Sequence, residues 1–152
     1  MIECRFLLND QPMSEFCLGS HRFPAFSGLD GEVNRRAAMC RRNTGPIPVG
    51  KYYIFDRESG GFLGPLRDMF RDKSDWFSLY AIDKKIDDYV LCNHIMRGNF
   101  RLHPKGGLGR SEGCIVIERE SHFKFLSERL KASPQVAVAG TSLKAYGLVR
   151  VE

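Results

Sequence analysis

Apolar residues fall in short runs, many of them alternating with polar ones, and turn formers separate most of the runs. Residues 2–8, 14–18, 50–55, 76–82, 89–92, 98–103, 114–117, 135–139 and 146–151 have this strand character, with Gly, Pro, Asn and Asp between most of them. Helical periodicity is rarer. In 121–131, Phe123, Leu126 and Leu130 form a stripe, Ser121 stands where an N-cap is expected, and Pro134 lies just past the end. Residues 65–71 predict a second, shorter helix. Many strands with one or two small helices predict a mainly β chain, a β-sandwich or partly open barrel with α decoration. No linker, repeat or low-complexity tract interrupts residues 1–152, which read as one domain.

The alternation also assigns faces. In 98–103, Phe100 and Leu102 point inward, so Asn99, Arg101 and His103 point to an outer face or into a cleft. In 114–117, Ile115 and Ile117 share one face and Cys114 shares the other with Val116. Asn9-Asp10-Gln11-Pro12 reads as a hairpin turn. With Asn9 opposite Pro12, Cys4 and Cys17 fall opposite each other across two strands.

Composition narrows the class. A hydrophobic fraction of 43% with 11 Phe and 5 Tyr suits a globular chain and argues against disorder. No apolar stretch approaches the roughly 20 residues that span a bilayer, so stable membrane insertion is not expected. The start, Met1-Ile2-Glu3-Cys4-Arg5-Phe6, lacks the basic and apolar regions of a secretory signal. The expectation is a protein that stays in the cytoplasm or leaves by a route that reads no cleavable signal. The net charge of +5 favours anionic partners. The densest basic cluster, Asn34-Arg35-Arg36-Ala37-Ala38-Met39-Cys40-Arg41-Arg42, has two readings. One is a contact for nucleic acid or an envelope polymer. The other, favoured because aromatics are not interleaved, is a solvated helical turn. The five cysteines are an odd number without CxxC spacing, so at least one is free or intermolecular. For Cys4 and Cys17, two reduced core thiols are favoured over a disulfide in a protein made in a cytosol.

The chemistry concentrates in Phe100-Arg101-Leu102-His103-Pro104 and Gly109-Arg110-Ser111-Glu112-Gly113-Cys114-Ile115-Val116-Ile117. A histidine closes one strand-like run, a cysteine opens another eleven positions later, and a glycine-rich loop separates them. A thiol beside an imidazole is the minimum apparatus for acyl transfer: the imidazole accepts the proton and the thiolate attacks a carbonyl. Gly113 lets a substrate carbonyl approach the backbone, where the N–H groups of Gly113 and Cys114 can hold an oxyanion. Ser111 either holds the turn before the cysteine, orients His103 through its carbonyl, or has no chemical role. Two other readings stand beside acyl transfer. One is purely structural: an inert buried thiol and a structural histidine. The other is a metal site of Cys92, His94, His103 and Cys114, whose spacing matches no recognised zinc pattern.

These residues resemble a family. Ser111-x-Gly113-Cys114-Ile115 with an upstream histidine resembles the active-site signature of the YkuD-type L,D-transpeptidases. Ala25-Phe26-Ser27-Gly28 resembles the Ser-Gly segment after the family's opening hairpin. Thr44-Gly45-Pro46-Ile47-Pro48-Val49-Gly50-Lys51-Tyr52-Tyr53 resembles the Thr-Pro-x-Gly-x-Tyr stretch that leads into a central strand. The likeness runs from about residue 2 to about residue 117. The Gly-Pro-Ile-Pro form, the His-Pro pair, the short spacing and the absence of a signal resemble one branch, the L,D-transpeptidase-like toxins that type VI secretion injects into rival bacteria. Two positions depart from the housekeeping pattern: Pro104 follows the histidine where Gly is usual, and Val116 stands where an Arg usually follows the cysteine by two.

The resemblance implies a YkuD-like fold and no cofactor or metal. It implies attack by Cys114 on the bond between the diamino acid and terminal D-Ala of a peptidoglycan tetrapeptide stem. His103 acts as base and then acid, and Gly113 and Ser111 serve the oxyanion and positioning roles. Water, a free D-amino acid or a second stem's amine resolves the thioester, giving carboxypeptidase, exchange or cross-linking. Without the family's usual Arg, Arg97, Arg101 and Arg110 are the nearest cations for the substrate, with Ser27 and Gly28 lining the cleft. The implied partners are stem peptides, an immunity protein and a type VI delivery component. The implied place of action is the target-cell periplasm. A catalytically inactive envelope-binding β-sandwich and a basic nucleic-acid-binding domain are the alternatives.

Overall fold

A computed structural model describes residues 1–57, 76–106 and 113–152. Its centre is a closed barrel of eight strands. They are β1 (Ile2–Phe6), β2 (Ser14–Leu18), β3 (His21–Ser27), β4 (Gly50–Asp56), β5 (Phe77–Ala81), β8 (Arg101–Pro104), β9 (Ile115–Ile117) and β12 (Gly147–Val151). A hairpin of β6 (Tyr89–Cys92) and β7 (Ile95–Gly98) stands outside it, as does a short pair, β10 (Val136–Ala137) with β11 (Lys144–Ala145). One helix, α1 (Glu120–Lys131), packs against β8 and β9.

The chain is mainly β, as the pattern predicts, and the barrel is fully closed. The ring order is β1-β12-β4-β5-β8-β9-β3-β2, and pairing of β2 with β1 leaves no edge. Two junctions are parallel, β1 with β12 and β8 with β9. Inward residues fill the interior. Phe6, Phe16, Tyr52, Ile54, Phe77, Leu102, Ile115 and Ile117 are all nearly or fully buried. Phe123, Leu126 and Leu130 of α1 close one end, as their stripe predicts. Ser121 is not the N-cap. Arg119 holds that position, and its carbonyl accepts the N–H groups of His122 and Phe123.

The differences from the sequence reading have local causes. Strand β3 contains Pro24, which discourages a strand assignment. The Pro24 carbonyl accepts the Glu118 N–H just past the end of β9, and the missing N–H faces that same side. The ladder with β2 therefore loses nothing. The first hairpin is shifted by one residue: Asn9 caps across the turn to the Met13 carbonyl at 3.0 Å. Cys4 then pairs with Leu18, and Cys17 with Arg5. The slip puts Cys4 in the core and Cys17 on the opposite face. Both are free thiols. The disulfide joins Cys40 to Cys92 instead, a pairing between segments 52 residues apart that no local pattern announces.

The basic cluster contains a single-turn 3-10 helix, Arg36–Ala38, as its blander reading expects. Its arginines hold local structure: Arg41 pairs with Glu32, Arg35 reaches the Gly31 carbonyl and Arg42 the Met96 carbonyl. The expected helix at 65–71 lies outside the described residues. Among the described residues no helix is long and apolar enough to cross a membrane.

Candidate active site

The parallel junction of β8 and β9 carries the chemistry. Its register pairs Leu102 with Ile115 and His103 with Val116. Leu102 and Ile115 point into the core, so His103 and Val116 share the other face. Cys114 stands two residues before Val116 and lies on that face too. Continued one residue ahead of β9, which begins at Ile115, the register sets Cys114 diagonal to His103, a relation in which long side chains of adjacent strands come within reach. On the other flank, β5 pairs Phe77 with Leu102 and Ser78 with Arg101. One further step of that antiparallel register sets Trp76 beside His103.

His103 does not lie open on an outer face. It is only 3% exposed, because the Trp76 ring stacks on it at 4.0 Å between centroids and 14° between planes. The Arg57 guanidinium stands over the Trp76 ring at 5.3 Å. His103 Nδ1 is 2.8 Å from the carbonyl oxygen of Pro104. A carbonyl only accepts, so in the neutral ring Nδ1 carries the hydrogen and Nε2 holds the lone pair. The ring plane and tautomer are therefore set by a cross-strand stack and by the backbone of the next residue.

Around Cys114 the constraint comes from β7 and the turn after it. Gly113 has φ +104, and a Cβ there would sit 2.6 Å from Nη2 of Arg97 and 2.8 Å from the Phe100 ring. Glycine is needed here for conformation and for packing. This is a different reason from the expected one, access for a substrate carbonyl. Asn99 turns the chain at φ +60 between β7 and β8. Its carbonyl lies 3.8 Å from Cys114 Sγ and accepts from the thiol. Arg97 is buried, and its guanidinium donates to the carbonyls of Met39, Gly45 and Pro46. Burial holds its pKa below the ordinary arginine value. The Cys40–Cys92 disulfide ties the same 38–46 segment to the β6–β7 hairpin, so the backing of Gly113 is cross-linked twice.

Residues 21–141 match the family model of the Tlde1 domain. The chain belongs to the Tlde1 family. This is the family of type VI L,D-transpeptidase effectors, which places the chain among secreted, L,D-transpeptidase-like enzymes directed at peptidoglycan. No curated protein and no solved structure matches the chain. The matched segment of this Tlde1 domain holds His103, Cys114 and the disulfide. Strands β1, β2 and β12 lie outside it and complete the barrel.

The other expected site residues of the Tlde1 domain are placed unequally. Arg101 is close to the candidate pair, but its guanidinium forks onto Asp88, with both N···O distances 2.8 Å. Arg110 and Ser111 lie outside the described residues. Ser27 is fully buried. Its Oγ accepts the Ile47 N–H at 2.9 Å, and its N–H donates to Asn34 Oδ1. Gly28, at φ +100, faces the backbones of Glu32, Thr44 and Pro46. Ser27 and Arg97 therefore spend their polar groups on the frame behind the site. Of the four residues in the metal reading, Cys92 is bonded to Cys40, and His94 lies in the turn with Asn93. Among the described residues no group of three or more His, Cys, Asp or Glu is arranged to hold a metal.

Trp76, Arg57, Asp88 and Asn99 were not foreseen as site residues. Trp76 is the chain's one tryptophan and heads a strand, which is the signal that was available. A cleft of about 830 Å³ runs from Trp76 and Pro104 along α1, past Ser121, Phe123, Lys124 and Lys131.

Proposed function

We propose that this Tlde1 domain is a YkuD-type, cysteine-dependent enzyme that cleaves the bond to terminal D-Ala in peptidoglycan tetrapeptide stems. The single observation that supports it is the shared face of adjacent parallel strands on which His103 and Cys114 stand. In this reading Nε2 of His103 takes the Cys114 thiol proton, and the thiolate adds to the carbonyl of the diamino acid. The N–H groups of Gly113 and Cys114 steady the oxyanion. The C–N bond then breaks, the imidazolium gives its proton to the leaving D-Ala amine, and a thioester remains. Water attack gives the carboxypeptidase product, a free D-amino acid gives exchange, and the side-chain amine of a second stem gives a cross-link. Burial of His103 under Trp76 suits a base whose proton is passed to substrate groups.

The same reading makes the protein an antibacterial effector that acts in the target-cell periplasm, carried by a type VI delivery component and restrained in its producer by a cognate immunity protein. Ser111 and Arg110 are proposed to shape the turn and the anionic end of the site. Purified tetrapeptide muropeptides incubated with protein, with and without a D-amino acid, test the chemistry by mass spectrometry. Loss of D-Ala, exchange and dimer formation give three distinct masses. Cys114→Ala is expected to abolish all three, and His103→Ala to slow them by about 10²-fold or more. Full turnover by Cys114→Ala would end this reading.

A further inference from the structure

The register that pairs Leu102 with Ile115 has a second consequence. One step back along both strands, Arg101 becomes the direct neighbour of Cys114, where parallel strands run about 4.8 Å apart. Arg101 points to the same side as His103, because both are odd positions of β8. Its side chain is held by Asp88, through two 2.8 Å bonds from Nη1 and Nη2, and Nη1 also lies 2.7 Å from the Phe100 carbonyl oxygen. Both members of the pair are about four-fifths covered.

A largely buried ion pair is a weak source of stability, since desolvation offsets most of the attraction. Its position is what sets this one apart. We propose that Arg101, clamped by Asp88, is the fixed cation that favours the thiolate of Cys114, so that it acts through the nucleophile. This rests on the thiol chemistry proposed above. Asp88 has a second contact with the same site: its carbonyl accepts the Asn99 N–H at 3.2 Å, and the Asn99 carbonyl faces the Cys114 thiol. One residue thus orients both the cation and the acceptor that flank the sulfur.

The charges around Arg101 agree with this arrangement. Burial acts to lower the guanidinium pKa, but the hydrogen bond and charge of Asp88, with contributions from Cys114 and Tyr80, raise it overall. A cation stabilised by a neighbouring thiolate must stabilise that thiolate equally. The other groups facing this corner are His103 on β8, Arg97 behind Gly113, and Tyr80 on β5 beside the Arg101–Asp88 pair.

The test reads the thiol itself. The rate of Cys114 alkylation by iodoacetamide is measured against pH, with peptide mass spectrometry separating Cys114 from Cys4 and Cys17. The set is wild type, Arg101→Lys, Arg101→Gln and the charge-free pair Arg101→Gln with Asp88→Asn, which leaves no unpaired carboxylate if the single variant fails to fold. The series is repeated with His103→Ala, so that a single titration step remains. Removing the cation is expected to raise the thiolate midpoint by about one pH unit or more, with an approximately tenfold loss of rate below it, and Arg101→Lys is expected to keep most of the wild-type behaviour. An unchanged midpoint in folded Arg101→Gln overturns the proposal; if that variant does not fold, the charge-free pair is compared with Asp88→Asn alone, and equal midpoints there overturn it. Failure of the muropeptide reaction with an Arg101-dependent midpoint would instead leave this inference standing and remove the substrate assignment.

Discussion

The disulfide offers the most direct quantitative test of the structure. Cys40 and Cys92 are 52 residues apart in sequence. Closing a loop of that length in the unfolded chain removes about 14 cal/mol/K of entropy in the chain-entropy model, or about 4 kcal/mol at 25 °C. Unfolding entropy of about 2.1 cal/mol/K per residue, over 152 residues, converts this to a change in Tm of about 13 °C. In urea, at about 2 kcal/mol/M, the midpoint moves by about 2 M. The experiment compares thermal and urea unfolding of oxidised protein, reduced protein and the Cys40→Ser with Cys92→Ser variant. The reduced protein and the double variant should agree, because both lose only the cross-link. Cys17→Ser should leave Tm within a degree or two. A shift under about 3 °C in both reduced and double-variant protein would refute the reasoning, as would a mass spectrum with all five cysteines alkylatable without reductant. Such a bond persists in an oxidising compartment and is lost in a reducing one.

Three other outcomes follow from the same geometry. Trp76→Ala should remove a stack of about 0.5–1.5 kcal/mol from His103 and shift the pH profile of kcat; Trp76→Phe should restore much of it, and equal profiles in all three proteins would sever Trp76 from the imidazole. Gly113→Ala should cost about 1–3 kcal/mol by forcing a Cβ onto Arg97 and Phe100, and should lower muropeptide turnover on the order of 10²-fold; a wild-type urea midpoint and rate would show that this turn has slack. Stability should fall in alkaline solution. Burial pushes the Cys4 thiol from 9.0 up to about 12, and burial with the Asp56 hydrogen bond pushes the Tyr146 phenol from 10.0 up to about 12. Both are neutral in the fold and ionise earlier when unfolded, so their contribution is complete below pH 9 and is lost as pH rises toward 12. A urea midpoint that stays level through that window, or a Cys4→Ala variant with the same slope as wild type, would contradict this.

Much of the chain was legible before any coordinates. Period-two runs marked most of the barrel strands, and the Phe123, Leu126 and Leu130 stripe marked the helix, because both signals are local consequences of one buried face. The same alternation turned His103 away from Leu102, and the register agrees, setting His103 beside Val116 and Leu102 beside Ile115. What tertiary structure decided is everything that depends on which strand lies beside which. Closure of the barrel, Trp76 over His103, and Arg101 beside Cys114 are matters of register between strands far apart in sequence. The bond between Cys40 and Cys92 is of the same kind, and so is the burial of Arg97 among three carbonyls. Residue type announces what a side chain can do, whereas neighbours from distant segments decide which of its capacities is engaged: Ser27 looked like a cleft residue and is a buried hydrogen-bond bridge. A single-residue slip in the first hairpin separated Cys4 from Cys17, because a strand's side chains change face with every residue.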